Sequence, residues 1–73
     1  MKIEVYHTAR TRIKECFSRS EDLFEEIDTL VQLHEETTSE VERIKLQASI
    51  DYKLNIAKEW IETSVELIKS LNN

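Results

Sequence analysis

The chain contains neither glycine nor proline in its 73 residues, and no other feature constrains its fold as strongly. Glycine supplies the positive φ angles of tight turns, and proline pre-sets the φ angle at which many turns begin. Hairpin-rich β folds and phosphate-binding loops depend on such turns, so the sequence disfavours both. A chain rich in Glu, Lys, Leu, Ile, Thr and Ser, without helix breakers, predicts long α-helices.

In the first half of the chain, seam positions recur at alternating spacings of three and four, which is typical of one face of a helix. This seam consists of Tyr6, Ala9, Ile13, Cys16, Ser20, Leu23, Ile27, Leu30 and His34. Phe17, Phe24 and Val31 lie beside the seam and widen it. A capping-box pattern beginning at Ser18 would divide the segment into two helices. The spacing continues across the serines, however, and favours one helix over residues 4–36.

A second helix is predicted to begin near Ser39, which forms a capping-box pattern with Glu42. The two threonines before Ser39 prefer side-chain bonds to the backbone over a helix interior. We therefore expect a connector at about 35–39 and a helix over about 39–71. So short a connector makes the helices antiparallel neighbours. The sequence predicts a single all-α domain over residues 1–73, folded as a two-helix hairpin.

Residues 44–56 alternate between apolar and polar side chains, a pattern that taken alone indicates a β-strand. A lone strand in so short a chain has no ladder partner except another copy of itself, so helix is favoured. On a helix the alternation becomes two apolar stripes. The first is Val41, Ile44, Ala48, Tyr52, Ile56 and Trp60. The second is Leu46, Ile50, Leu54, Ala57, Ile61, Val65, Ile68 and Leu71.

The first helix can cover one of these stripes, which leaves the other for a partner. The candidate partner-binding residues are Ile44, Ala48, Tyr52, Ile56 and Trp60. Dimerisation into a four-helix bundle would supply burial that one small hairpin lacks. In architecture alone the hairpin resembles ROP-type bundles, and RNA binding through residues 1–19 is what that resemblance implies. No residue motif supports that activity, which makes RNA binding the least favoured function.

Charge divides the chain into three unequal segments. Residues 1–19 carry a balance of +3, residues 20–42 carry nine acids and no base, and residues 43–73 carry +1. The candidate acidic face is Glu21, Asp22, Glu25, Glu26 and Asp28. A row of carboxylates can imitate a phosphate track, so an alternative function is a nucleic-acid mimic or antirepressor that blocks a DNA-binding protein. The net charge of -5 disfavours binding of nucleic acid or anionic membranes by the chain itself.

The same charge division predicts the direction of self-association. Two hairpins packed with their tips together would place two acidic segments in contact, whereas packing in opposite directions sets each acidic tip beside a basic segment. We therefore expect an antiparallel homodimer with twofold symmetry. Its basic residues nearest the partner's acidic half are expected to be Arg10, Arg12, Lys14 and Arg19.

Groups that could support catalysis or bind a metal are few. Glu4 and His7 match a Glu-x-x-His metal pattern, but they lie near a terminus, where helices fray. Cys16 lies on the seam with no histidine one turn away to act as its base, so a core role is favoured. The sequence predicts no enzyme, cofactor or metal site.

The remaining expectations concern where the protein works. A lone cysteine cannot form a disulfide framework and is typical of a reducing compartment. The first residues lack the apolar core of a signal peptide, and no run of 18 apolar residues is present, so no membrane segment is expected. The sequence therefore predicts a small cytoplasmic regulatory protein that binds another protein through a helix face.

Overall fold

The computed structural model describes residues 2–72 as a hairpin of two long α-helices. Helix α1 spans Ile3–Glu36 and helix α2 spans Glu40–Asn72, and the described part of the chain contains no strand. The predicted all-α hairpin is confirmed, and the alternating residues 44–56 belong to α2. Within this range, neither helix has a stretch of the length and apolarity that crossing a membrane requires.

Helix α1 continues through its serines without a break. The hydroxyl of Ser20 donates a hydrogen bond to the carbonyl oxygen of Cys16 at 2.9 Å. This bond satisfies the buried hydroxyl within its own helix, so a serine can occupy the seam without a polar partner across it. The capping-box pattern at Ser18 therefore does not start a second helix.

Backbone and side-chain hydrogen bonds stabilise the connector between the two helices. The N–H of Thr37 donates to the carbonyl oxygen of Leu33 at 3.0 Å, and the N–H of Glu42 donates to Ser39 Oγ at 3.3 Å. The Thr37 hydroxyl accepts from the N–H of Ser39 at 3.2 Å and donates to the Glu42 carboxylate at 2.6 Å. The second bond of the capping box is thus relayed through Thr37. Extended backbone at Thr37, with φ -75 and ψ 144, makes the turn without glycine.

Replacing the N-cap residue should measurably destabilise the hairpin. We expect Ser39→Ala to lower the free energy of unfolding by about 1 kcal/mol, because the N–H of Glu42 loses its acceptor. Thr38→Ala is the matched control, since the exposed Thr38 side chain takes no part in this network. Urea denaturation followed by circular dichroism measures both variants. Equal losses for the two would show that the capping bonds do not stabilise the connector.

The two helices pack along their whole length through a 3–4 repeat of buried and half-buried residues, the arrangement of a coiled coil. In α1 this seam consists of Ala9, Ile13, Cys16, Ser20, Leu23, Ile27, Leu30 and His34, as the sequence spacing predicts. In α2 it consists of Arg43, Leu46, Ile50, Lys53, Ala57, Trp60, Ser64, Leu67 and Leu71. Tyr6, at the end of the predicted seam, is exposed.

The seam of α2 differs from both apolar stripes expected from the sequence. It takes Trp60 from the first stripe and Leu46, Ile50, Ala57 and Leu71 from the second. The expectation that α1 covers one whole stripe is therefore wrong. An α-helix has 3.6 residues per turn, so a stripe that advances four residues at a time drifts about 40° around the axis at each step. The straight seam of the hairpin crosses such a stripe instead of following it.

Polar residues at seam positions of α2 retain polar partners. Lys53 extends from the seam and its Nζ lies 3.1 Å from the Glu26 carboxylate, an ion pair between the helices. Arg43 pairs with Glu40 at 3.2 Å, while its buried Nε has no partner within the hairpin. The Ser64 hydroxyl donates to the carbonyl oxygen of Ile61 at 2.7 Å. Long side chains whose stems lie against the core and whose charges reach solvent explain how cations occupy the seam.

Candidate functional site

Six large apolar side chains lie directly beside the seam on one side of the hairpin. They recur every seven residues within each helix: Phe17, Phe24 and Val31 in α1 and Leu54, Ile61 and Ile68 in α2. Ile44 and Val65 lie on the same side but further from the seam, in a row with charged residues. All six are classed as exposed, and Phe17 retains half of its accessible surface. We call these six residues the apolar side face.

The antiparallel arrangement brings the two halves of the apolar side face to the same side. Two antiparallel helices are related by a pseudo-twofold axis normal to the plane that contains them. Rotation about this axis exchanges the helices but leaves the two faces of the hairpin unexchanged. Residues that follow the seam in α1 and in α2 therefore share one side. The groove that Arg19 and Glu26 line together with Ile56 agrees with this geometry, because all three directly precede seam residues and share the opposite side.

The opposite side of the hairpin is mostly polar. The residues that precede seam positions there include Arg12, Arg19, Glu26, Thr63 and Ser70, all of them exposed. Grooves on this side join Arg12 with Ser70, and Arg19 and Glu26 with Ile56. The hairpin is thus two-sided, and only the apolar side face presents large apolar side chains from both helices at regular seven-residue intervals.

The predicted partner-binding residues do not share one surface. Ile44 lies in the row that flanks the apolar side face, seven residues before Asp51, and lines a groove with His34 and Gln47. Ala48 and Tyr52 lie on the outer surface of α2, and both Ile44 and Tyr52 are 68% exposed. Ile56 is half-buried on the polar side, and Trp60 is half-buried in the seam. Their four-residue spacing carries them around the helix, by about 40° at each step. The apolar side face was only partly visible in the sequence, where Phe17, Phe24 and Val31 stand out beside the seam of α1.

The predicted acidic face is exposed along α1 but spread widely around it. The five side chains of this face are Glu21, Asp22, Glu25, Glu26 and Asp28. Glu21 and Asp28 flank the apolar side face, Glu25 lies on the outer surface, and Glu26 points to the polar side, where it pairs with Lys53. The carboxylates therefore surround the outside of α1 instead of forming a single straight row.

The metal-ligating and nucleophilic side chains of the described residues are dispersed. Among residues 2–72, no group of three or more His, Cys, Asp or Glu side chains is placed to hold a metal ion. The Cys16 thiol is free and buried, with 4% of the residue surface accessible. The surface that has a clear physical tendency to bind is the apolar side face, since large contiguous apolar patches on a soluble protein mark interaction sites.

Comparison with known proteins gives no relative from which a function could be transferred. No protein-family model, no curated protein and no solved structure matches the chain. The function is therefore argued from the physical character of the hairpin.

Proposed function

We propose that the protein is a small, non-enzymatic regulatory module that binds a partner protein through its apolar side face in the cytoplasm. The observation that carries this proposal is the two-sidedness of the hairpin: large apolar side chains from both helices line one side, and mostly polar ones line the other. A hairpin that worked alone would gain nothing from keeping aromatic side chains in contact with water.

The energetic tendency of this face to associate is substantial. Fully burying a Phe, Leu or Ile side chain contributes about 1.5–3 kcal/mol. Phe17 and Phe24 still expose 50% and 41% of their surface in the single hairpin. Aromatic side chains in the centre of an apolar patch are also the residues that dominate binding energy in protein interfaces. A partner that covers the patch therefore gains from every one of its members.

Charged side chains flank the apolar side face on both helices. Lys14, Glu21 and Asp28 flank the α1 part of the apolar side face, and Asp51 and Lys58, together with the apolar Ile44 and Val65, flank the α2 part. An apolar centre with a charged rim is the usual anatomy of a protein interface. Association through such a surface is expected to depend only weakly on salt, whereas a complex formed by a nucleic-acid mimic weakens steeply as ionic strength rises.

Site-specific photocrosslinking tests this proposal in cells. A benzophenone amino acid in place of Ile61 stands on the apolar side face, and the same amino acid in place of Glu25 stands on the outer surface of α1. We expect a protein adduct from position 61 and little from position 25. A predominant adduct from position 25 would instead favour the acidic-mimic function. Equal, weak labelling from both positions would contradict binding through the apolar side face.

A further inference from the structure

We infer that the occupant of the apolar side face is a second copy of this chain, packed with its connector at the opposite end to form a twofold four-helix bundle. This inference rests on the proposed function, because it names the partner of the same face. Three independent features support it: the symmetry of the apolar side face, the distribution of charge between the two halves of the hairpin, and the excess surface of the single chain.

The apolar side face is symmetric about one level of the hairpin. Ser20 and Ala57 mark this level, because each is the fifth seam residue counted outward from the connector. Phe17 lies three residues before Ser20 along α1, and Phe24 lies four residues after it. Leu54 and Ile61 have the same spacing about Ala57 along α2. A twofold axis at this level and perpendicular to the helices brings the face onto itself.

Such an axis sets α1 antiparallel to the α1 of the second copy, and α2 antiparallel to its α2. Phe17 then meets the partner's Phe24, and Leu54 meets the partner's Ile61. A self-complementary patch of this kind makes a closed, isologous contact, so association stops at two copies. The small residues Ser20 and Ala57, which are 5% and 1% exposed, occupy the hairpin core at that level.

Charge selects between the two directions in which hairpins can pack. Residues 20–57, the connector half, carry ten acidic and three basic side chains, a formal charge of -7. Residues 1–19 and 58–73, the terminal half, carry five acidic and seven basic ones, a formal charge of +2. Connectors at the same end place the two negative halves together. Connectors at opposite ends place each negative half beside a positive one, and charges within a Debye length of about 8–10 Å then attract.

The charged rim of the apolar side face pairs differently in the two packings. With connectors at opposite ends, positions equally far from Glu21 meet along α1, so Lys14 lies beside the partner's Asp28. With connectors at the same end, α1 instead lies beside the partner's α2. Lys14 is then level with the partner's Val65, and Asp28 with the partner's Asp51. Connectors at opposite ends pair Lys14 with the partner's Asp28 twice, but they set Glu21 and Lys58 each against its own copy. Connectors at the same end pair Glu21 with the partner's Lys58 twice and set Asp28 against the partner's Asp51 twice. The rim pairs are therefore balanced, and the preference for opposite ends comes from the net charges of the two halves.

The surface of the single chain exceeds that of a compact protein by about the area that a dimer needs. The chain exposes 5832 Å², against roughly 4,700 Å² for a compact monomer of 8.7 kDa. Its radius of gyration is 16.7 Å, against about 11 Å for a compact chain of this length. The excess of about 1,100 Å² per chain is comparable to the roughly 800 Å² that each partner buries in a stable interface.

Disulfide trapping between two single-cysteine variants tests both the second copy and its direction. In a Cys16→Ala background, Lys14→Cys is mixed with Asp28→Cys under mild oxidation, and in a matched sample with Val65→Cys. All three positions lie beside the large apolar side chains at the centre of the patch, so the side chains of Phe17 and Phe24 stay intact. We expect the first mixture to give the mixed disulfide dimer at least ten times faster than the second.

The alternative outcomes each overturn a defined part of this inference. Faster trapping with Val65→Cys would show connectors at the same end and would refute the charge argument. No trapping in either mixture above the rate of a Glu25→Cys control would refute the second copy. In that case a photocrosslinked adduct between position 61 and a different protein would leave the proposed function standing, whereas the absence of any adduct would refute both.

Discussion

Ile27→Asp is expected to abolish the folded hairpin at room temperature. Ile27 is a seam residue with 6% of its surface exposed, so an aspartate there would be buried without a charged partner or would force the helices apart. Burying an unpaired charge costs several kcal/mol, which approaches the total stability of a domain of this size. The far-UV circular dichroism signal of the α-helix measures the loss of helix.

Two further variants distinguish a seam effect from a general sensitivity of α1. Ile27→Val removes one methylene group from the same site and should cost about 0.5–1.5 kcal/mol without unfolding the protein. Glu25→Gln changes an exposed side chain two residues away and should change the free energy of unfolding by less than about 0.5 kcal/mol. Equal effects from Ile27→Asp and Glu25→Gln would mean that the seam is assigned to the wrong face of α1.

The double variant Phe17→Ser/Phe24→Ser is expected to weaken self-association by about a thousandfold. Each dimer contains four such side chains, and each is about half exposed in the single hairpin. Burying the exposed half of one Phe contributes about 1 kcal/mol, so the four together contribute about 4 kcal/mol, or about three orders of magnitude in the dissociation constant. Sedimentation velocity over a series of concentrations measures this constant.

The matched control for that variant is Val41→Ser/Tyr52→Ser. Val41 and Tyr52 are more exposed than either phenylalanine, at 61% and 68%, but they lie on the outer surface of α2. If exposure alone drove association, this control would weaken the dimer at least as much. We expect it to leave the dissociation constant within about twofold of the unchanged protein, because surface substitutions away from an interface have small effects. A stronger effect from the control would place the interface on the outer stripe.

The sequence was sufficient to predict α1 and its seam. Every position from Ala9 to His34 recurs at helical spacing, and the structure buries or half-buries each one. The connector was predictable for a related reason, because Ser39 and Glu42 match a known capping pattern. The relay through Thr37 was not predictable, since it depends on the distance between a hydroxyl and a carboxylate after the chain has turned.

The seam of α2 was harder to predict because polar residues occupy part of it. Arg43, Lys53 and Ser64 interrupt the apolar pattern of the seam. A prediction based on apolar residues alone therefore selects the two apolar stripes and misses the seam. Each of these residues has a local solution: an ion pair for Lys53 and a bond to its own helix for Ser64. A search for strict 3–4 spacing through Leu46, Ile50 and the later seam positions, polar residues included, would have found the register.

Only part of the apolar side face could be predicted from the sequence. Its α1 half was visible as residues beside a seam, but its α2 half was mixed with seam residues in one long stripe. Only the antiparallel register of the two helices shows that Phe24 and Leu54 belong to the same side. The predicted partner-binding residues follow one apolar stripe of α2, and that stripe crosses from one side of the helix to the other, so it does not form a single surface.

The mass of the protein in solution tests the central claim most directly. Sedimentation equilibrium at micromolar concentration and moderate salt needs no substitution and no label, so the apolar side face stays intact. We predict a single species of about twice the 8.7 kDa chain mass, because a twofold, self-complementary contact closes at two copies. A monodisperse species at the mass of one chain would contradict the claim that a second copy covers the apolar side face.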